Sequence, residues 1–434
     1  MSSKGKIFFA IAVILLFNSI CSAQVTTVST KQIGAIGDED WSRMWTNYKP
    51  NSQSYYPTNV ALPNYIDKNT TLYKKNTYLM QGVVYVINNA VLTIEAGTII
   101  KGDHSTFGAL VITKGCKIIA NGLETDPIVF TSDRSQFDRK SGDWGGIILL
   151  GNAEVNKVGG MSALDWGLDN RFGMYGGTDD NDNSGSMKYV RIEYPGNKIT
   201  ADKEFNGLTL AGVGRNTVIE NIQISYSNDD SYEIFGGSVN LKNIISYKCT
   251  DDDFDFNYGY NGKIQNAIAI RHPLITDFSG SRCIEADSYS GDKSSMDPNK
   301  RVTNCTLSNV TLLMLDPPTG QPNMAKEAIY IGKECLVSVN NSVITGFRFG
   351  ILAKDENFRN KAFKGDIKIT NNLFNKCEKI FSIEANYEEV TNYFTASGIR
   401  NKIMDITVKE LFKDSGNTEF PDYRLQNKDF FALR

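Results

Sequence analysis

Residues 226–237 read YSNDDSYEIFGG, and 22 positions later residues 248–259 read KCTDDDFDFNYG. Asp229 and Asp230 align with Asp251 and Asp252, and Tyr232-Glu233-Ile234 aligns with Phe254-Asp255-Phe256. A unit this short cannot bury its own apolar face and must stack on copies of itself. The alignment extends upstream, where VIENIQIS and NLKNIISY set Asn221 against Asn243, and KIQNAIAI puts Asn266 in the same slot. LSNVTLLM, VNNSVITGF and ITNNLFNKC carry the series on with Asn309, Asn341 and Asn372. Each unit is a short apolar alternation of period two beside an Asn, which marks a strand rather than a helix.

Short strands separated by Asn, Gly and Asp turns predict an all-β fold, a single-stranded right-handed parallel β-helix whose rungs stack about 4.8 Å apart. Asn at a recurring corner accepts left-handed backbone, and its amide can bond to the equivalent amide one rung away. The front half repeats the pattern in AVLTIEAG, ALVITKGCKIIANG, PIVFTSD and GGIILLGNAEVN. The coil is therefore expected over 82–401, interrupted by loops at 155–185, 288–300 and 316–326. An uncapped coil exposes its core and a sheet edge. Residues 24–81 are expected to close the N-terminal end, and 402–434 the other.

The first residues carry Lys4 and Lys6, an apolar run from Ile7 to Phe17, and Cys21-Ser22-Ala23. That order predicts a signal peptide over 1–23, cleaved near Ala23, and hence a secreted or outer-surface protein. The run is too short to span a bilayer, and no later segment is more apolar, so the protein is not expected to be transmembrane. Lipid anchoring at Cys21 is disfavoured because Ile20 stands where a small residue is expected. Removing the two lysines leaves 44 basic against 49 acidic residues, a net charge of −5, which argues against nucleic acid as a partner. Six cysteines then remain, widely spaced and without a CxxC pair, and are read as buried thiols. Two histidines, His104 and His272, leave little for a histidine zinc site.

Alternation places Tyr232, Ile234, Phe254, Phe256, Ile284 and Ala286 inward. Thr209, Glu233, Asp255 and Glu285 then form one outward column, with Asp229, Asp230, Asp251, Asp252 and Asp253 at the corner beside it. Like charges on facing strands repel, by under about 1 kcal/mol per pair at 5 Å in water and more where water is excluded. Two readings follow. The acids are a solvated turn, or Asp229, Asp230, Glu233, Asp251, Asp252, Asp255 and Glu285 hold Ca2+, which takes several oxygen ligands in adaptable geometry. TDDNDNSG at 178–185 has a passing likeness to a calcium loop without the later glutamate. Tyr226, Tyr247, Tyr258 and Tyr260 offer ring faces on which a polysaccharide or cell-surface glycan could stack.

Six stretches in chain order, YLMQGVVYVINNAVLTIEAGTIIKGD, ALVITKGCKIIANGLETDPIVFTS, GDWGGIILLGNAEVN, DDNDNSGSMKYVRIEYPG, LTLAGVG and SYSNDDSYEIFGGSVN, resemble a family of exported bacterial right-handed parallel β-helix proteins, pectate-lyase-like in fold. The resemblance covers roughly 41–287. It implies the fold and a cell-surface or extracellular setting. Members often end in a sorting domain for type IX secretion, which DYRLQNKDFFALR does not match. IRHPLIT at 270–276 half-matches the RxPxxR stretch of pectate lyases through Arg271 and Pro273, with Thr276 in place of the second Arg. The expectation is a non-catalytic, glycan- and Ca2+-binding surface protein. The alternative is a Ca2+-dependent polysaccharide lyase or glycoside hydrolase drawing on Glu233, Asp255, Glu285 and Arg271.

Overall fold

The computed structural model describes residues 32–427, apart from 201–202, 278–279, 290–292, 317–323, 356 and 384–386. The signal-peptide reading of 1–23 lies outside the described residues. Within them the chain winds as a right-handed parallel β-helix of three faces. On the first rungs the faces are separate short strands: Thr70–Leu72, Tyr78's strand Thr77–Met80, and Val83–Val86. From Gly185–Glu193 to Thr306–Met314 the first two faces merge into single long strands, as in Val218–Ser225, Asn240–Tyr247 and Lys263–Arg271, before separating again as Ser338–Asn340 and Val343–Thr345.

A bend at one residue keeps these long strands on two faces. Tyr189 has φ 49°, and in register with it Asn221, Asn243 and Asn266 have φ 54°, 55° and 57°. Asn309 and Asn341 continue at 56° and 53°. The side chains form an amide ladder, Asn266 Nδ2 donating to Asn243 Oδ1 at 2.9 Å and Asn371 Nδ2 to Asn341 Oδ1 at 2.6 Å. In the last of these rungs Asn371, not Asn372, takes the corner, with φ 60°. Asn372 turns inside, where its Oδ1 accepts from the Ser342 amide and its Nδ2 donates to the Val339 carbonyl.

The third face is an eleven-stranded parallel sheet from Tyr65–Ile66 to Lys379–Ile383. Tyr232, Ile234, Phe254, Phe256, Ile284 and Ala286 are fully buried in the central core, as alternation predicts. All six cysteines of the described residues are thiols, and five are buried.

The two ends differ from expectation. Val60–Ala61 and Tyr65–Ile66 already pair in parallel with the next rung, so the coil starts before residue 82. Lys402–Met404 still pairs with Leu373–Asn375, so it continues past 401. Residues 32–56 do not close the N-terminal end. They run along the outside of the second face, with the Gly34 amide on the Asn341 carbonyl, the Asn47 amide on Gln223 and the Tyr55 hydroxyl on Glu193. The reason is the face itself, whose outward side chains Ile245, Ile268, Leu313 and Val343 are apolar and must be covered. Ala35, Ile36, Trp45 and Tyr48 cover them, together with Val408, Leu411, Phe412 and Tyr423 from the C-terminal tail. Helix Tyr387–Thr395 packs Val390 and Phe394 against the core beside Phe381.

Candidate functional site

One outward column of the third face changes character along its length. In register it runs Val111, Ile148, Thr209, Glu233, Asp255, Glu285 and Tyr330. Its apolar start is covered by the 155–185 loop, whose Leu164, Leu168 and Tyr175 form a cluster with Val111 and Ile148. Where that cover ends, at Trp166 and Tyr175 against Phe235, the acids begin.

Two groups of carboxylates meet there. Oxygens of Asp230, Glu233 and Asp255 lie within 4.8 Å of one another, and so do those of Asp229, Asp230 and Asp251. That span is twice a Ca2+–oxygen distance of about 2.4 Å. Glu233 and Asp230 are each only 6% exposed, and Asp229, Asp251 and Asp255 are half-buried. Glu233 Oε1, Asp255 Oδ1, Thr209 Oγ1 and Asn257 Oδ1 are buried with no hydrogen-bond partner. Buried polar atoms are nearly always partnered, so orphaned oxygens from three consecutive rungs of one column fit a cation, which they would ligate. Without one, burial pushes the carboxyls of Asp229, Asp230, Glu233 and Asp255 well above the usual range, and neighbouring carboxylates push them further.

Two predicted ligands stand apart from these groups. Asp252 is 3% exposed, and its Oδ1 accepts the Arg282 amide at 2.5 Å. It continues a corner ladder in which Asp230 Oδ1 accepts the Asp252 amide at 2.8 Å. Glu285 pairs with the Arg282 guanidinium, which also reaches Glu327 at 3.1 Å and lies 4.5 Å over the Tyr330 ring.

Arg271 is not a surface base. It is fully buried, pointing inward at the end of its strand, with Nη1 3.1 Å from Asp253 and bonded to the carbonyls of Asp251 and Arg282. Asp253 is likewise fully buried rather than a solvated corner, and it accepts from Ser246 and from Cys249. Of the four tyrosines, Tyr260 is in the core, and Tyr226 and Tyr247 pack together, with Tyr48 also against Tyr247 under the N-terminal segment. Tyr258 alone adjoins the column, against Phe235, with the Lys157 ammonium 3.9 Å from its ring centroid. The loop 178–185 is held by ion pairs, Asp180 binding Arg301 and Arg215.

Two residues beside the acids escaped the sequence reading. Asn257 donates to Asp255 Oδ2 at 2.7 Å. Asp287 lies against Gly332, where an added Cβ would come within 1.7 Å of its Oδ1. Burial and then Glu285 push the Asp287 carboxyl up to about 7. Both follow their acids by two positions on the same outward face, and extending the alternation by one step finds them.

A separate group, Asp103, His104 and Asp133, adjoins a cavity of about 400 Å³ on the early rungs. Its oxygens are committed locally, Asp103 to Ser105 and Thr106, and Asp133 to the His104 amide and ring.

A family model for a pectate-lyase like beta helix domain matches residues 64–411. No curated protein matches. Among solved structures, the chain is similar to an alginate lyase from Paenibacillus sp., at 16% identity and TM-score 0.27, covering 69% of this chain and 85% of that one. It is also similar to the catalytic domain of a GH87 α-1,3-glucanase, at 13% identity and TM-score 0.33, covering 88% and 69% respectively. Among the described residues no helix is long and apolar enough to cross a membrane.

Proposed function

The chain belongs to the pectate-lyase-like β-helix family, and on that premise we propose that it is an exported, non-catalytic protein that binds glycan over a Ca2+ ion held by its acidic column. Such a fold hosts both catalysts and binders, so the reading rests on the site. The observation that carries it is the pair Glu233 Oε1 and Asp255 Oδ1, buried side by side in register without a hydrogen-bond partner. A hard cation satisfies both oxygens, and Asp230 supplies a third. The rim suits a sugar that carries acid groups. Tyr258 adjoins the column and Tyr330 ends it after Glu285, and each has a cation over its ring, Lys157 and Arg282.

A catalytic reading is favoured by one feature. Asp287, held at about 7, could give a proton to a leaving oxygen while Glu285 stays paired with Arg282. The purified chain, presented with a panel of neutral and acidic polysaccharides in Ca2+ and in chelator, separates the two. Calcium-dependent retention without new reducing or unsaturated ends is the expected result. New ends would move the protein to the lyase or hydrolase class. Neither binding nor cleavage across the panel would sink both readings.

A further inference from the structure

A second cluster of charge lies away from the acidic column, on the outward side of the second face beneath residues 50–55. One outward column there carries Lys101, Thr131 and Glu193 on successive rungs, and Arg191 stands two positions before Glu193 on the same side. Arg139 comes over them from the 133–143 loop, and Tyr55 from the N-terminal segment. The Tyr55 hydroxyl donates to Glu193 at 2.9 Å, and the Arg139 guanidinium lies 4.8 Å from its ring centroid. We propose that these side chains form a binding site for a compact inorganic anion, which the N-terminal segment encloses.

Unused donors mark the site. Arg139 is 6% exposed, and its Nη1 donates to the Pro50 and Gln53 carbonyls, but its buried Nε has no acceptor. The buried Nε of Arg191 has none either, since Glu193 Oε1 is 3.9 Å away, beyond hydrogen-bond reach. The Tyr194 hydroxyl, on a residue 3% exposed, is buried and unpartnered. Lys101 is 6% exposed and forms no hydrogen bond or ion pair among the described residues. Buried donors are nearly always satisfied, so four left open in one cluster require an acceptor that the chain does not supply.

Charge points the same way. The three cations face Glu193 within the cluster and Asp133 at its edge, and Asp133 Oδ1 is already taken by the His104 amide and ring. Asp143, which also faces Tyr194, is bonded to Arg134 and Ser132. At least one buried positive charge is left without a counter-charge. Burial, and then Arg139, pull the Lys101 ammonium below its usual pKa. An anion cancels the excess charge and accepts from the open donors. Residues 50–55 close over the cluster, so a halide or a free oxyanion fits there and a polysaccharide chain does not.

Anion titration of the full chain tests this, with chelator present so that no divalent ion contributes. Melting temperature is followed as chloride or inorganic phosphate replaces gluconate at constant ionic strength. A saturable rise with at least one of the two is expected, by mass action. Phosphate alone acting assigns an oxyanion, and chloride alone a halide. Lys101→Met should melt higher than the unaltered chain in gluconate, because it removes an uncompensated buried charge, and should lose most of the rise. Arg191→Gln, whose side chain is 15% exposed in the unaltered protein, should lose the rise likewise. No saturable rise in the unaltered chain, or a rise kept in full by both variants, overturns the site. So does a Lys101→Met chain less stable than the unaltered one in gluconate.

Discussion

At the scale of single residues, neighbouring acids of one repeat have opposite tasks. Asp251 and Asp253 are two positions apart, yet Asp253 points into the coil and Asp251 toward the outer cluster. Asp253 is the counter-ion of Arg271, and both are fully enclosed. Removing one partner of such a pair leaves an uncompensated buried charge, at a cost of about 3–5 kcal/mol. Asp253→Asn is therefore expected to lower unfolding free energy by that amount in denaturant titrations, even though it preserves shape. Glu233→Gln is expected to do the reverse in metal-free protein, because an amide avoids the cost of keeping a buried carboxyl protonated among like-charged neighbours and supplies a donor. It should also abolish most of the calcium-induced rise in melting temperature. If both substitutions destabilise alike, the division between interior pair and exterior site is wrong.

At the scale of elements, the Asn corners are where sequence and structure meet most closely. Left-handed backbone costs an ordinary residue about 1–2 kcal/mol, and the amide ladder adds about 1 kcal/mol per bond. Asn243, at φ 55° and accepting from Asn266, has both. Asn243→Ala is expected to cost about 2–3 kcal/mol and Asn243→Gly roughly 1, since glycine restores the backbone and loses only the bond. Equal losses would show that backbone strain plays no part. These corners and the inward aromatics were legible because they recur at a fixed interval and alternate with period two. The covering segment was not. Nothing local in residues 32–56 says where they dock, because their partners, Ile245, Ile268 and Val343, are set by the third dimension of the coil. Asp253 was misread for a related reason: at a corner, alternation stops and cannot say which side chains turn in, whereas the pairing of Arg271 with a neighbouring acid was legible. Deleting residues 32–56 should uncover that apolar face, and the truncated chain is expected to melt lower and bind a hydrophobic dye, with its parallel sheets kept.

At the scale of the whole molecule, the acidic column sets how stability answers to pH. An acid whose folded pKa lies above its unfolded value keeps its proton where the unfolded chain has lost it. Stability then falls as pH rises between the two values. Burial and neighbouring carboxylates raise Asp229, Asp230, Glu233, Asp252, Asp255 and Asp287 in this way, and for Asp287 the interval runs from 3.8 to about 7. Other carboxyls act with the opposite sign. Despite burial, hydrogen bonds and ion pairs hold Asp103, Asp180, Asp355 and Asp422 below 3.8, so their contribution is lost only as pH falls beneath that value. The metal-free chain should thus be most stable near the ordinary carboxyl pKa and should weaken steadily on the way to neutrality. Calcium reverses the slope, because it binds the ionised column and displaces its protons. Melting temperatures measured from pH 4 to 8, with chelator and with Ca2+, should therefore diverge as pH rises, the curves lying together at the acid end. Magnesium should separate them less, given its stricter octahedral demand and reluctant dehydration. Parallel curves would mean that the ion, if bound, does not sit on these carboxylates. A metal-free curve rising toward neutrality would mean that the column is ionised and solvated without an ion, and the repeated acids would then reflect only the winding of the coil.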